Sequence, residues 1–288
     1  MKITIFGNEY HHDVLPHIQR LAEELIDRGV ELQVEESYLR FLSQHHVPFT
    51  SRVTAMTNPE ETDVALSLGG DGTFLRTSKV VSLHGVPIMG INAGHLGYLT
   101  TAHVHQTRQV VDALLSGDYR IEKRSMLQVG SADEQDFPCA LNEVALLRQD
   151  TSSMIEVDVL IDGIPLTTYK GDGLLVCTPT GSTAYNLSVG GPVLEPLSRC
   201  VVLSPISPHA LTMRPVVIRD DATLTITTRS RTALYQVSID GDSVGLPSGT
   251  ALTITRAPFE AQVMLLNDYN FASTLRTKLM WGKDNREE

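Results

Sequence analysis

A buried strand that runs directly into a glycine-rich turn is the feature that most constrains the fold of this chain. Val64–Leu68 is a short apolar run that predicts a strand. The sequence GGDGT follows at 69–73, and Thr73–Arg76 predicts the start of a helix. Glycine has no Cβ, so a ligand can approach the backbone closely. The segment predicts either an anion site at a helix start or a tight turn with a capping Asp71.

Strands and helices alternate through the first part of the chain, which predicts a mainly parallel sheet with right-handed crossovers. Ligands of such sheets bind beyond the carboxyl ends of the strands, where GGDGT lies. The apolar periodicity predicts strands over 2–6, 31–35, 64–68 and 86–91, and helices over 17–28, 74–83 and 106–115.

The pattern changes to short alternating strands from Tyr119 to about Thr255. Phe271–Trp281 predicts a helix that returns to the first domain. We therefore predict an α/β N-terminal domain with a mainly parallel sheet, of residues 1–118 plus 258–288, followed by an all-β domain of residues 119–257. Turns within the all-β domain are predicted at Asp162-Gly163, Asp240-Gly241 and Ser248-Gly249.

A second polar, glycine-rich stretch reads TPTGSTAYNLSVGGP at 178–192. Ser182 and Thr183 are residues that commonly begin helices. Hydroxyl and backbone N–H groups are concentrated there. The stretch predicts either a site for an anionic or ribose-bearing ligand, or a helix cap followed by a loop.

Composition excludes several classes of protein. The formal net charge of -11 argues against a nucleic-acid partner, which requires a basic surface. No apolar run reaches the ~18 residues of a membrane span, and Met1–Ile5 leads into a strand instead of a signal peptide. The three cysteines are far apart, which predicts reduced thiols in a cytoplasmic protein. Motifs of P-loop kinases, dinucleotide dehydrogenases, elbow-type serine hydrolases and zinc proteases are absent.

Four segments together resemble the NAD kinase family in its bacterial form. They are GGDGT at 69–73, INAGHLGYL at 91–99, LNEVAL at 141–146 and GDGLLVCTPTGSTAYNLSVGGP at 171–192. GGDGT alone also occurs in lipid kinases and phosphofructokinases, whereas the ordered set is highly specific. The resemblance implies an enzyme that uses ATP to phosphorylate the 2′-hydroxyl of the adenosine ribose of NAD, producing NADP. Because the chain is acidic and nucleotides are polyanions, backbone amides, a few local cations and a divalent cation, Mg²⁺ or Mn²⁺, would have to supply the attraction.

The resemblance implies roles for three residues of the first domain. Asp71 matches the family's proton acceptor, and Gly72 would let the ribose come close. An aspartate is a weak base in water, but the hydroxyl becomes more acidic as the new P–O bond forms. Arg76 can meet a phosphate, or it can be a solvated cation on its helix. The sequence predicts no set of protein ligands for a metal.

The other implied site residues follow in the second domain. Asn142 and Glu143 match the pair that holds the ribose and adenine edges of NAD, although a pair on a strand edge is the alternative. Asp172 matches a further carboxylate of the NAD site. Tyr185 can stack on a base. The stretch that lines the adenine end is Thr183, Ala184, Tyr185, Asn186, Leu187 and Ser188.

Two positions depart from the family pattern. Asp240-Gly241-Asp242 stands where many members have Asp-Gly-Gln, so Asp242 offers an acceptor in place of a donor-capable amide. Lys170 stands where relatives often have arginine, which keeps the charge but loses the planar fork. Family members with a cation at this position tend to prefer NAD over NADH, so the resemblance implies that preference here.

Two other functions are open on the sequence alone. A lipid or sugar kinase would share only GGDGT, and a non-catalytic sensor would bind NAD without turnover. Members of the family are typically homodimers or homotetramers that can share the NAD site between subunits. The expected partners are therefore small-molecule nucleotides and further copies of the chain, with no membrane.

Overall fold

The computed structural model describes residues 1–9, 14–92, 97–131, 138–150 and 153–282. Two compact units divide the chain, Met1–Lys123 with Ala261–Glu288 and Arg124–Glu260. The helices are α1 Leu15–Asp27, α2 Glu36–Gln44, α3 Asp71–Val81, α4 Thr107–Ser116, α5 Tyr185–Ser188 and α6 Phe271–Lys278. The strands are β1 Lys2–Gly7, β2 Glu31–Val34, β3 Thr54–Ala55, β4 Val64–Leu68, β5 Ile88–Asn92, β6 Ala102–His103, β7 Tyr119–Ser131, β8 Cys139–Ala140, β9 Glu143–Leu147, β10 Ile155–Ile161, β11 Ile164–Gly171, β12 Gly173–Cys177, β13 Cys200–Ile206, β14 Val216–Arg219, β15 Leu224–Arg229, β16 Leu234–Ile239, β17 Asp242–Pro247 and β18 Ala251–Leu266.

A parallel sheet forms the centre of the first unit, as predicted. Its strand order is β5-β4-β1-β2-β3, and the end of β18 pairs with β5 in parallel. Helix α1 buries the apolar face of Ile18, Leu21 and Leu25 in the same core as the strands. From β1 the chain continues to β2 and β3 on one side of the sheet, and β4 and β5 then lie on the other side of β1. The crevice beyond the carboxyl ends of β1 and β4 is therefore the topological switch point. The GGDGT turn begins there.

One helix of the first unit begins earlier than predicted, and another was not predicted. Helix α3 begins at Asp71, earlier than the predicted start at Thr73. Helix α2 was not predicted from the sequence. It is capped by the carboxylate of Glu35, which accepts hydrogen bonds from the N–H groups of Ser37 and Tyr38. Glutamate is an unusual residue at this position, where Ser, Thr, Asp and Asn are preferred.

Antiparallel sheets make up the second unit. One has the order β14-β13-β12-β9-β16-β17, and β11, β10, β15 and the start of β18 are adjacent strands of another. The predicted turns at Asp162-Gly163 and Asp240-Gly241 join β10 to β11 and β16 to β17. Both residues of each turn have positive φ, at 49° and 78° in the first and 49° and 89° in the second. These values are typical of two-residue hairpins.

The C-terminal helix α6 belongs to the first unit and ends at Lys278, three residues before the predicted end at Trp281. Asn270 caps it by accepting a hydrogen bond from the N–H group of Ser273 at 2.8 Å. Within the described part of the chain, no helix has the length and apolar character needed to cross a membrane.

Candidate functional site

The GGDGT turn is a strand-to-helix connection with open space on its outer side. Gly69 has a φ of 155°, and a Cβ there would lie 2.4 Å from Oγ1 of Thr73. Only glycine fits this position. A Cβ on Gly70 or Gly72 would meet no described atom within 4 Å. The backbone of the turn is therefore accessible to a ligand.

The carboxylate of Asp71 is held by two main-chain N–H groups. Oδ2 accepts from the N–H of Tyr98 at 2.7 Å, and Oδ1 accepts from the N–H of Leu99 at 3.0 Å. Gly97 lies against it, since a Cβ on Gly97 would be 2.1 Å from Oδ1. The described end of the INAGHLGYL motif thus lies beside GGDGT, while residues 93–96 of the motif are outside the described residues. Each carboxylate oxygen has a second lone pair, so Asp71 can still accept a proton.

Arg76 lies one turn further along α3, where its guanidinium donates to the main-chain oxygen of Gly7 at 3.2 Å. It lines a cavity of about 200 Å³ together with Gly7, Glu35 and Thr73. Gly7 ends β1 and Glu35 follows β2, so the cavity lies at the carboxyl ends of these strands. The guanidinium has five N–H donors, which leaves donors for a phosphate beyond the bond to Gly7.

Asn142 and Glu143 stand at the beginning of β9, and their main chain is held by Asp240. This aspartate was predicted as a turn residue and not as part of the site. Oδ2 of Asp240 accepts from the N–H of Leu141 at 2.7 Å. Oδ1 accepts from the N–H groups of Asn142 at 2.8 Å and Glu143 at 3.1 Å. Asp240 therefore fixes the backbone that carries the predicted pair. Asp242, which the sequence analysis singled out in the same turn, is exposed.

Polar atoms are left without partners beside this pair. Oε2 of Glu143, Oδ1 of Asn142 and Oγ1 of Thr180 are buried, and no described residue forms a hydrogen bond with them. Burial, together with the nearby negative charge of Asp240, raises the pKa of Glu143 to about 7. Buried polar groups are normally hydrogen-bonded. This cluster is therefore the strongest indication of a ligand site within the second unit.

The TPTGST stretch packs against the same backbone. The N–H of Thr178 donates to the main-chain oxygen of Asn142 at 2.9 Å, and its hydroxyl donates to that of Leu141 at 2.5 Å. The hydroxyl also accepts from the N–H of Gly181 at 3.1 Å. The structure thus brings Asn142 and Glu143 together with the start of the stretch, although Leu141 and Thr178 are 37 residues apart in the sequence.

The rest of the stretch differs locally from the prediction. The α-helix begins at Tyr185 with Ala184 at its N-cap, because the hydroxyl of Ser182 instead accepts from the N–H of Leu194 at 3.0 Å. Asn186 is fully buried, and its side chain bonds to Ser182, Pro192 and Ser204. The predicted lining residues that face solvent are Tyr185, Leu187 and Ser188, with Thr183 and Ala184 half-buried.

Asp172 lies away from Glu143 within the second unit. Strands β9 and β12 pair so that Gly173 is opposite Leu147 and Cys177 is opposite Glu143. Asp172 is level with Arg148, so five residue steps of strand separate the two carboxylate positions, which corresponds to about 17 Å. Oδ1 of Asp172 instead forms an ion pair with Nε of Arg148 at 3.1 Å.

Comparison with known proteins gives the family. The family model of the ATP-NAD kinase N-terminal domain matches residues 3–119, and the model of the ATP-NAD kinase C-terminal domain matches residues 141–266. An NAD kinase of Bacteroides fragilis is 41% identical over 289 residues, covering 99% of this chain and 100% of that protein. The chain belongs to the NAD kinase family. An NAD kinase of Porphyromonas gingivalis is 40% identical, with 98% of each chain covered.

Solved structures of NAD kinase relatives share this fold. An NAD kinase from Archaeoglobus fulgidus in complex with ATP has a TM-score of 0.74 and 27% identity, covering 96% of this chain and 99% of that one. Yeast NADH kinase complexed with NADH has a TM-score of 0.89 at 22% identity, covering 100% and 90% of the two chains. The second likeness concerns the fold alone. The predicted α/β and all-β architecture is therefore confirmed.

Two features of this NAD kinase family member bear on charge. Lys170 is paired through Nζ with Oε1 of Glu156 at 2.7 Å, and Arg229 reaches the other oxygen of Glu156 at 3.1 Å. The positive charge of Lys170 is thus partly neutralised within the protein. Among the residues that the structure describes, no group of three or more His, Cys, Asp or Glu side chains is arranged to hold a metal ion.

Proposed function

We propose that this NAD kinase family member transfers the terminal phosphoryl group of ATP to the 2′-hydroxyl of the adenosine ribose of NAD, producing NADP. The observation that carries the proposal is 41% identity to a named NAD kinase over the full length of both chains. The carboxylate in the GGDGT turn supports it, since a proton acceptor stands beside an accessible backbone.

Asp71 is the proposed proton acceptor. Phosphoryl transfer depends mostly on positioning and charge neutralisation, and the hydroxyl proton leaves as the new P–O bond forms. Two main-chain N–H groups fix the direction of the carboxylate, so its remaining lone pairs point in a constant direction. Gly72 leaves room for the ribose, and Arg76 offers guanidinium donors to a phosphate.

Asn142 and Glu143 are the proposed binding residues for the NAD ribose and adenine edges. Their unpartnered oxygens can accept hydrogen bonds from sugar hydroxyls and the adenine amino group. We assign the adenine end to the stretch 183–188, where Tyr185 exposes its ring. Asn186 supports the stretch from within, since its polar atoms already bond inside the protein.

We propose that Mg²⁺ or Mn²⁺ arrives as the complex with ATP. The described residues offer no cluster of metal ligands, whereas the phosphates of ATP bind divalent cations on their own. The metal then belongs to the substrate, and its charge offsets the repulsion between ATP and a chain of net charge -11. We also place the enzyme in the cytoplasm, where its three free cysteines would remain reduced.

The test is purified protein with NAD, ATP and Mg²⁺, scored for NADP. Production of NADP is expected, with sugars and lipid headgroups inactive as acceptors. Phosphorylation of a sugar or lipid without NADP formation would support the alternative kinase. Binding of NAD without any turnover would support the sensor.

Replacing Glu143 with glutamine should weaken NAD binding about 10-fold, with a smaller effect on the maximal rate. Hydrogen bonds to a charged group contribute about 1.5–3 kcal/mol, and partial protonation near pH 7 places the effect at the low end of that range. Isothermal titration calorimetry with NAD measures the change. Glu36→Gln, at an exposed position on α2, is the matched control and should bind NAD as the wild type does. Unchanged affinity in Glu143→Gln would remove Glu143 from the NAD site.

The same variant can be checked through the pH dependence of stability. The pKa of Glu143 is raised to about 7 in the folded protein from an ordinary value of 4.5. The contribution of this protonated carboxyl group to the free energy of unfolding is therefore fully present below about pH 4.5 and is lost as the pH rises through about 7. Urea unfolding of the wild type should show this decline between pH 5 and pH 8, and Glu143→Gln should show a flatter profile.

We further propose a homodimer or homotetramer in which the NAD site is shared. Asp172 lies about 17 Å along the strands from Glu143, so a second copy of the chain is one way to bring such a carboxylate to the ligand. Light scattering should give a mass at least twice the 31.6 kDa of one chain. A fully active monomer at the concentration of the assay would refute a shared site.

A further inference from the structure

Helix α6 brings Lys278 against the loop that holds the Asp71 carboxylate. Nζ of Lys278 donates to the main-chain oxygens of Gly97 and Thr100, the second at 2.9 Å. An ammonium group has three donors and no acceptor, so it can bind two carbonyl groups at once. It also lies 5.9 Å from the centroid of the Tyr98 ring. One side chain of the C-terminal helix therefore joins both ends of the segment 97–100.

The two N–H groups that hold Asp71 lie between the two carbonyl groups that Lys278 binds. The N–H groups of Tyr98 and Leu99 donate to the two carboxylate oxygens at 2.7 and 3.0 Å. The packing is tight, since a Cβ on Gly97 would lie 2.1 Å from Oδ1 of Asp71. Movement of the segment would thus shift both donors and turn the carboxylate with them.

We propose that Lys278 is a positioning residue for phosphoryl transfer, which fixes the orientation of Asp71 through the segment 97–100. The inference rests on the proposed role of Asp71 as proton acceptor. Lys278 holds the main chain of this segment, so its effect falls on the geometry of the base and not on NAD contacts in the second unit. Charge-assisted hydrogen bonds of this kind are about twice as strong as neutral ones.

The first test is Lys278→Met, which keeps a long, unbranched side chain and removes its hydrogen-bond donors. We expect kcat to fall about 10-fold to 100-fold, the scale on which a misplacement of about 1 Å acts. KM for NAD and the calorimetric Kd should stay within a factor of about two of the wild type, because Gly97 and Thr100, which Lys278 binds, are not among the proposed NAD-binding residues. Lys278→Arg should recover most of the rate, since guanidinium also donates to carbonyl groups.

The matched control is Arg276→Ala, which removes an exposed cation from the same helix and should keep wild-type kcat. Amide hydrogen exchange gives a readout independent of activity. Exchange at Tyr98 and Leu99 should be faster in Lys278→Met and unchanged in Arg276→Ala. Thermal unfolding distinguishes this local change from general loss of the fold, which would speed exchange throughout the first unit.

A double variant tests the route of the effect. If Lys278 acts through Asp71, adding Lys278→Met to Asp71→Asn should lower kcat by less than about a factor of two. The effects of two residues that act through the same group are strongly non-additive. Wild-type kcat or unchanged exchange in Lys278→Met would overturn the proposal, as would an equal loss in both backgrounds. A wild type that makes no NADP would overturn the proposed kinase function itself, which is a different outcome from an active wild type with an indifferent Lys278.

Discussion

Replacing Asp71 with asparagine is expected to lower the maximal rate about 10²–10⁴-fold, the usual loss when a general base is removed. The affinity for NAD should change little, and a slight increase is expected because a negative charge leaves the neighbourhood of the phosphates. Steady-state kinetics and calorimetric titration with NAD measure the two quantities. A variant that keeps more than about a tenth of the wild-type rate would show that Asp71 is not the base.

The structure adds a second effect of this substitution. The carboxylate uses one oxygen for Tyr98 and the other for Leu99, whereas an asparagine side chain has a single acceptor oxygen. One N–H group therefore loses its partner, and the segment 97–100 is held less firmly. Amide exchange at Tyr98 and Leu99 should be measured on Asp71→Asn as well, so that loss of the base is separated from loosening of the loop.

Exhaustive chelation is expected to abolish NADP formation, and addition of Mg²⁺ or Mn²⁺ should restore it. The transferred phosphoryl group carries negative charge on its equatorial oxygens, and the sequence lacks a P-loop lysine that would offset this charge. NAD binding should persist in chelator, because the described residues hold no cluster of metal ligands. Activity assays and calorimetry in the same buffer measure both.

Either of two results would contradict this interpretation. Full activity in chelator would eliminate the metal-assisted reaction. Loss of NAD binding in chelator, without ATP present, would indicate a metal bound by the protein itself and would refute delivery of the metal with ATP.

Features that depend on neighbouring residues were predicted well from the sequence. Strand β4 and the glycine turn after it follow from an apolar run and from residues that permit positive φ. The hairpins at Asp162-Gly163 and Asp240-Gly241 follow from two-residue turn chemistry. Helix α2 was missed because its cap is Glu35 and only Tyr38, Phe41 and Leu42 are buried on its inner face.

Features that depend on distant residues could not be predicted in this way. Asp240 binds the N–H of Leu141, which is 99 residues away in sequence, and Lys278 binds the oxygen of Thr100, which is 178 residues away. Neither residue carries a local signal beyond a common turn or a helical lysine. The likeness to the family predicts which residues bind the ligand, whereas the contacts that hold these residues in place are visible only in the folded chain.

The unpartnered oxygen of Glu143, in its proposed role in NAD binding, would link the stability of the folded protein to the supply of its substrate. A buried carboxylate without a hydrogen-bond partner weakens the folded state, and a ligand that supplies donors removes this penalty. The ligand-free protein therefore opens more often than the NAD-bound form, and proteases act on the opened chain. When NAD is scarce, the fraction of the protein that is open to proteolysis should therefore rise.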